Sequence, residues 1–140
     1  MRIFKNPTKI CGKKVVQDYT EIAKCLSQGE EVYHWEAGDS LKPLINHLEF
    51  CLIKPCKPSD VKRGDCVFCK LYDTEQFMVH QVWEISDCGH DGRLWFKIGS
   101  TFGTIFGWSC EILGKAYGTD FYQDEEEYFK YVESEISHKT

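Results

Sequence analysis

Apolar positions change their spacing several times along this chain, and each change marks a boundary. Over residues 15–26, Val15, Tyr19, Ile22, Ala23 and Leu26 recur at helical intervals and end at "SQGE", which predicts a short amphipathic helix. Alternating or continuous apolar runs then replace the helical period. "EVYHWEA" (31–37) and "EFCLIK" (49–54) are expected strands, the second stopped by Pro55 and Pro58. "DCVFCKLY" (65–72) and "QFMVHQVWEI" (76–85) are a predicted hairpin, and "SDCGHDG" a second turn into "RLWFKIG" (93–99). "STFGTIFGWS" is expected as a Gly-rich loop before a last strand near 110–118. Helical spacing returns in Phe121, Tyr128, Phe129, Val132 and Ile136, a stripe expected to pack on the body. The expected architecture is one mainly β (α+β) domain with a helix at each end. It has an N-terminal arm and helix (1–30), a β body (31–118) and an acidic C-terminal helix (119–140).

Charge sharpens this division. The 140 residues carry a net −5. From Asp120 onward there are seven acids against two lysines, so the remaining 119 residues balance at 15 and 15. A neutral body with an acidic end lacks the basic surface that counterion release requires, so no nucleic-acid partner is expected. No apolar run approaches the roughly 20 residues of a bilayer crossing. The start, "MRIFKNPTKICGKK", lacks the apolar core of a secretory signal. The expectation is a soluble, cytoplasmic protein without a membrane anchor.

In that compartment the eight cysteines should be reduced. Cys66 and Cys69 have the C-x-x-C spacing of a zinc knuckle, but within a strand positions i and i+3 face opposite ways. No second C-x-x-C or His pair follows at finger spacing. Neither a metal nor another cofactor is expected.

Candidate chemistry centres on "WEAGDSLKPLI" (35–45), where Ser40 lies between turn-forming residues. The order "GDSLKPLI", "VKRGDCVFC", "FMVHQV", "FKIGSTFG", "ILGKAYG" resembles the signal peptidase and LexA-like self-cleaving repressor superfamily over about residues 31–118. The resemblance implies a coiled β-sheet or partly open barrel, with Ser40 as nucleophile and His80 as general base. A histidine base is similar to the archaeal and endoplasmic-reticulum signal peptidases. Leu41 stands for the usual Met, Pro43 completes the serine box, Gly64 and Asp65 match the turn before the central strand, and Gly114 matches the closing strand. Gly38 and Asp39, with Leu41 and Pro43, are the expected oxyanion- and substrate-positioning residues.

A serine hydroxyl needs a base within hydrogen-bond reach, and a neutral imidazole can serve without the desolvation a lysine requires. The departures are equally specific. The family's Gly-Asp-Asn box reads Gly99-Ser100-Thr101, so the base-orienting acid is absent and Ser100 or Thr101 is left for that task. Losing such an acid costs about 10⁴-fold in a serine-histidine system. Gln81 replaces the Arg that follows the base. Two functions stand on these residues. One is a small serine endopeptidase-like protein acting on itself or a partner, with Cys11-Gly12 as a candidate self-cleavage bond. The other is a catalytically degenerate peptidase fold that binds a protein or peptide. A small stand-alone domain of this type suits a phage or mobile element. His34, His47, His90 and His138 have no partners in the motif and are expected at surfaces or turns.

Overall fold

The computed structural model describes residues 2–4, 7–87 and 91–139, with the side chains of 2–4 and 137–139 outside that description. In chain order the elements are β1 (Arg2–Phe4), β2 (Lys9–Ile10), β3 (Lys13–Lys14), α1 (Tyr19–Ser27), β4 (Val32–Trp35) and β5 (Glu49–Pro55). A 3₁₀ turn at Pro58–Asp60 precedes β6 (Cys66–Lys70), β7 (Phe77–Ser86), β8 (Trp95–Gly99), β9 (Ile105–Ser109), β10 (Glu111–Gln123) and α2 (Glu125–Lys139). The architecture is mainly β, as expected. Seven strands form an antiparallel sheet in the order β4-β5-β10-β6-β7-β8-β9, β1 joins β10 in parallel, and the sheet does not close into a barrel.

Several boundaries differ from the sequence expectation for identifiable reasons. The first helix begins at Tyr19, not near Val15, because Asp18 caps it by accepting from the Thr20 N–H at 2.9 Å. Val15 and Val16 stay extended against Tyr33, so their β-branched side chains follow a strand. The expected Gly-rich loop holds a strand: β9 pairs with β8 once the loop at 100–104 has turned the chain. β10 runs on to Gln123, which places Phe121 in the sheet and not in the terminal helical stripe. Of the expected turn at 86–92, residues 88–90, His90 among them, lie outside the described residues.

The core has two main parts on either side of the sheet. Ile22, Leu26, Val32, Leu41, Ile45, Ile53, Phe68 and Val79 pack together beneath α1. Val67, Leu71, Val82, Phe96, Ile98 and Ile112 fill the other. Cys66 belongs to the first cluster and Cys69 to the second, so their sulfurs diverge across the pleat. Burial pushes both thiols up to about 12.

Two motif glycines have steric reasons. Gly64 has φ +97°, in the tight turn where Asp65 accepts from the Lys62 N–H at 2.8 Å and pairs with Lys115 at 3.2 Å. At Gly114 a Cβ would stand 2.6 Å from the Lys54 carbonyl oxygen, so the closing strand requires glycine there.

Candidate active site

The segment after β4 turns at Gly38, whose φ of +120° suits glycine, and carries Asp39 and Ser40 into a compact turn. Leu41 and Ile45 drop into the core beneath α1 and anchor this turn from below, while Pro43 and Leu44 remain exposed. The Lys42–Pro43 peptide bond is cis. The Asp39 carboxylate turns to Lys42 Nζ at 3.0 Å, both groups being exposed.

His80 lies on β7 opposite Val67 of β6. Its neighbour Gln81 pairs with Gly99 of β8, so the register carried one step further sets His80 against Ser100. The Thr101 N–H donates to the Ser40 carbonyl at 2.8 Å. The serine turn is thus stitched to the loop beginning beside His80 by a backbone hydrogen bond between residues 61 apart in the chain.

The side chains are arranged less simply than the backbone. The Thr101 hydroxyl lies against the Ser40 carbonyl at 3.2 Å and donates to the Lys42 carbonyl in a short hydrogen bond. Ser100 Oγ accepts from the Thr104 N–H at 3.1 Å. Among the described residues, neither hydroxyl bonds the His80 ring, and no hydrogen bond joins Ser40 Oγ to His80. His80 Nδ1 is buried without a described hydrogen-bond partner. The Phe106 ring covers the imidazole at 4.5 Å between centroids. Burial alone pushes the His80 pKa down to about 4, so the ring is neutral at pH 7.

Potential oxyanion donors divide in two. The Gly38 N–H donates to His47 Nδ1 at 2.8 Å and is therefore spent. The N–H groups of Asp39 and Ser40 donate to no described residue. Exposed apolar side chains occur on both bonded segments: Leu44 follows the serine turn, and Phe102, at 71% exposure, Ile105 and Phe106 follow Thr101.

Sequence reasoning missed two features bordering this turn. His47 lies in a turn, as expected, but its ring also meets Tyr128 of α2 edge-on at 6.2 Å, and Tyr128 packs likewise on Trp35 at 5.8 Å. His34, also expected at a surface or turn, is 2% exposed. Its Nδ1–H donates to the Val16 carbonyl at 2.9 Å, leaving Nε2 as acceptor opposite Glu36 Oε1 at 3.0 Å. Burial pushes His34 down to about 4 and Glu36 up to about 7. The proton between them therefore rests on the carboxyl group at mildly acid pH. Period-2 alternation of Val32, His34 and Glu36 was the available signal for this pair.

The Cys11-Gly12 bond forms the tip of the β2–β3 hairpin, both residues at positive φ. Lys13 and Lys14 tie that hairpin to Glu31 and Glu30, at the end of β4 remote from Ser40. No group of three or more potential metal ligands occurs among the described residues, nor does any helix long and apolar enough to cross a membrane. No family model, curated protein or solved structure matches the chain.

Proposed function

We propose that this chain is a small serine endopeptidase-like protein in which Ser40 attacks a peptide carbonyl and His80 receives its proton. The observation that carries the reading is the hydrogen bond from Thr101 to the Ser40 carbonyl, which draws the serine turn to the loop beside His80. A neutral imidazole whose buried Nδ1 has no described partner, and two N–H donors unused beside the hydroxyl, supply the other parts.

In the first step the Ser40 oxygen bonds to the carbonyl carbon as its proton passes to His80. The Asp39 and Ser40 N–H groups stabilise the oxyanion, an interaction worth about 3–4 kcal/mol per well-aimed donor. Collapse breaks the C–N bond, and the amine leaves with the proton from His80. Water, deprotonated by the same ring, then hydrolyses the ester. A base held near 4, without an acid to orient it, is weak, so turnover is slow. Incubation with a defined peptide mixture, read by mass spectrometry, should give cleavage products that disappear in Ser40→Ala and in His80→Ala. Equal products from all three proteins would remove the reading.

A second reading, peptide binding without turnover, is favoured by one observation: the Ser100 and Thr101 hydroxyls are directed at backbone groups and not at His80. Exposed Leu44, Phe102, Ile105 and Phe106 then serve an extended peptide that is held and released intact. Undiminished peptide affinity in a Ser40→Ala, His80→Ala double variant, with no cleavage by wild type, would select it.

A further inference from the structure

The terminal stripe does not lie against the body as a whole. Tyr128 and Tyr131 reach Trp35, at 5.8 and 6.5 Å between ring centroids, while Phe129 and Ile136 point away at 58% and 59% exposure. Phe129 and Ile136 are seven residues, about two turns, apart and lie one above the other. Val132, half-buried, stands between them in the stripe. Glu126 and Glu133, also seven apart, run alongside this pair, with Glu125 on its other flank. A face made of large apolar side chains framed by carboxylates is therefore left open on α2. It belongs to the segment that holds the chain's whole net charge of −5.

We propose that this face of α2 is the docking surface for a basic amphipathic segment of a partner protein, whose apolar side chains cover Phe129, Val132 and Ile136 while its lysines or arginines meet the flanking glutamates. Charge selects the occupant. A second copy would bring an equally acidic helix to the same face, and the repulsion opposes it. The apolar pair needs cover that a purely basic stretch does not give. An apolar helix face meeting a groove or a second helix is a recurrent mode of peptide recognition, with cationic flanks steering the encounter.

The test uses the full chain and a labelled 16-residue peptide of lysine and leucine with all leucines on one helical face, titrated by fluorescence anisotropy at physiological salt. A peptide of the same composition with scattered leucines is the control. The amphipathic peptide should bind at least tenfold more tightly than the scattered one. Both Phe129→Ser/Ile136→Ser and Glu126→Lys/Glu133→Lys should weaken it at least tenfold. The charge-reversed variant keeps the apolar stripe, so its result stands even where the serine variant loses helicity. Equal affinity for the two peptides would reduce the surface to unspecific charge and overturn the proposal, as would unchanged binding by the charge-reversed variant. Sedimentation of wild type as a dimer that Phe129→Ser/Ile136→Ser converts to monomer would assign the face to a second copy instead.

Discussion

Thr101 holds Ser40 from across the sheet: its N–H donates to the Ser40 carbonyl at 2.8 Å, and its hydroxyl donates to the Lys42 carbonyl two residues on. A residue expected to orient the base therefore engages the loop of the nucleophile. Thr101→Val keeps the N–H and the volume but removes the hydroxyl. Its loss should lower stability by about 1 kcal/mol. It should slow reaction at Ser40 by about tenfold, because small misplacements of a reacting group are costly. Thr101→Ser should restore most of that rate. Full activity in Thr101→Val would deny the hydroxyl any positioning role.

Gly38, His47 and Tyr128 connect the serine turn to α2. His47 Nδ1 accepts from Gly38, and the His47 ring rests edge-on against Tyr128. In His47→Ala the Gly38 amide should exchange with solvent faster by an order of magnitude or more, since its acceptor is gone. Tyr128→Ala should produce a smaller change of the same sign by loosening the ring. Amide exchange followed by NMR reads both. A Gly38 amide indifferent to Tyr128→Ala would mean that α2 does not reach the turn through His47.

Acidity should act on activity and stability through different groups. His80 is held down to about 4, so kcat/KM should be level through neutrality and fall as pH drops toward that value, where the ring takes up a proton. A loss centred near 6.5 would mean that the working imidazole is not buried. For stability, His34 and His80 resist protonation when folded, so each costs stability as pH falls from about 6.5 toward 4. Glu36, raised to about 7, binds its proton more tightly when folded and offsets part of that loss between pH 7 and the ordinary carboxylate range near 4.5. Glu36→Gln retains a donor toward His34 Nε2 but removes the offset. Denaturant titrations should therefore show a steeper loss of stability on acidification in that variant.

Glu49 is a structural carboxylate within the body. At 3% exposure it accepts from Asn46 N and Nδ2 through Oε1, both at 3.0 Å. Through Oε2 it accepts from Thr119 N at 2.7 Å and Asp120 N at 3.0 Å. Glu49→Gln replaces an acceptor with a donor facing N–H groups and should cost about 2–4 kcal/mol in urea unfolding. Gly118→Ala should also destabilise, because its Cβ would come 2.6 Å from Glu49 Oε2. A change under about 0.5 kcal/mol in Glu49→Gln would show that the surrounding backbone finds other partners.

What the sequence disclosed follows from how local each cause is. β5, β6, β7 and β8 lie close to their expected positions because apolar patterning along each run specifies a strand without reference to distant residues. β9 was missed because Gly107 within it and Thr101, Gly103 and Thr104 just before it carry a loop signature, and only pairing with β8 makes it a strand. The C-terminal stripe was legible as a helix, but which of its residues would face Trp35 depends on the docking angle and not on the period. At the candidate site, the turn character around Ser40 was local and readable. The hold of Thr101 on its carbonyl spans 61 residues, and no motif spacing encodes it. The burial of His34 was hidden for a similar reason: its acceptor, the Val16 carbonyl, comes from a backbone segment that looked helical.

The most direct test of the central claim is phosphonylation of Ser40. Wild type, Ser40→Ala, His80→Ala and Thr101→Val are incubated with a peptidyl phosphonate carrying a bulky apolar side chain, and the adduct is located by mass spectrometry of the digested protein. A single adduct is expected on Ser40 in wild type and none in Ser40→Ala, with rates reduced at least a hundredfold in His80→Ala and about tenfold in Thr101→Val. An adduct that forms on Ser40 equally fast without His80, or no adduct on Ser40 under any condition, would contradict that claim.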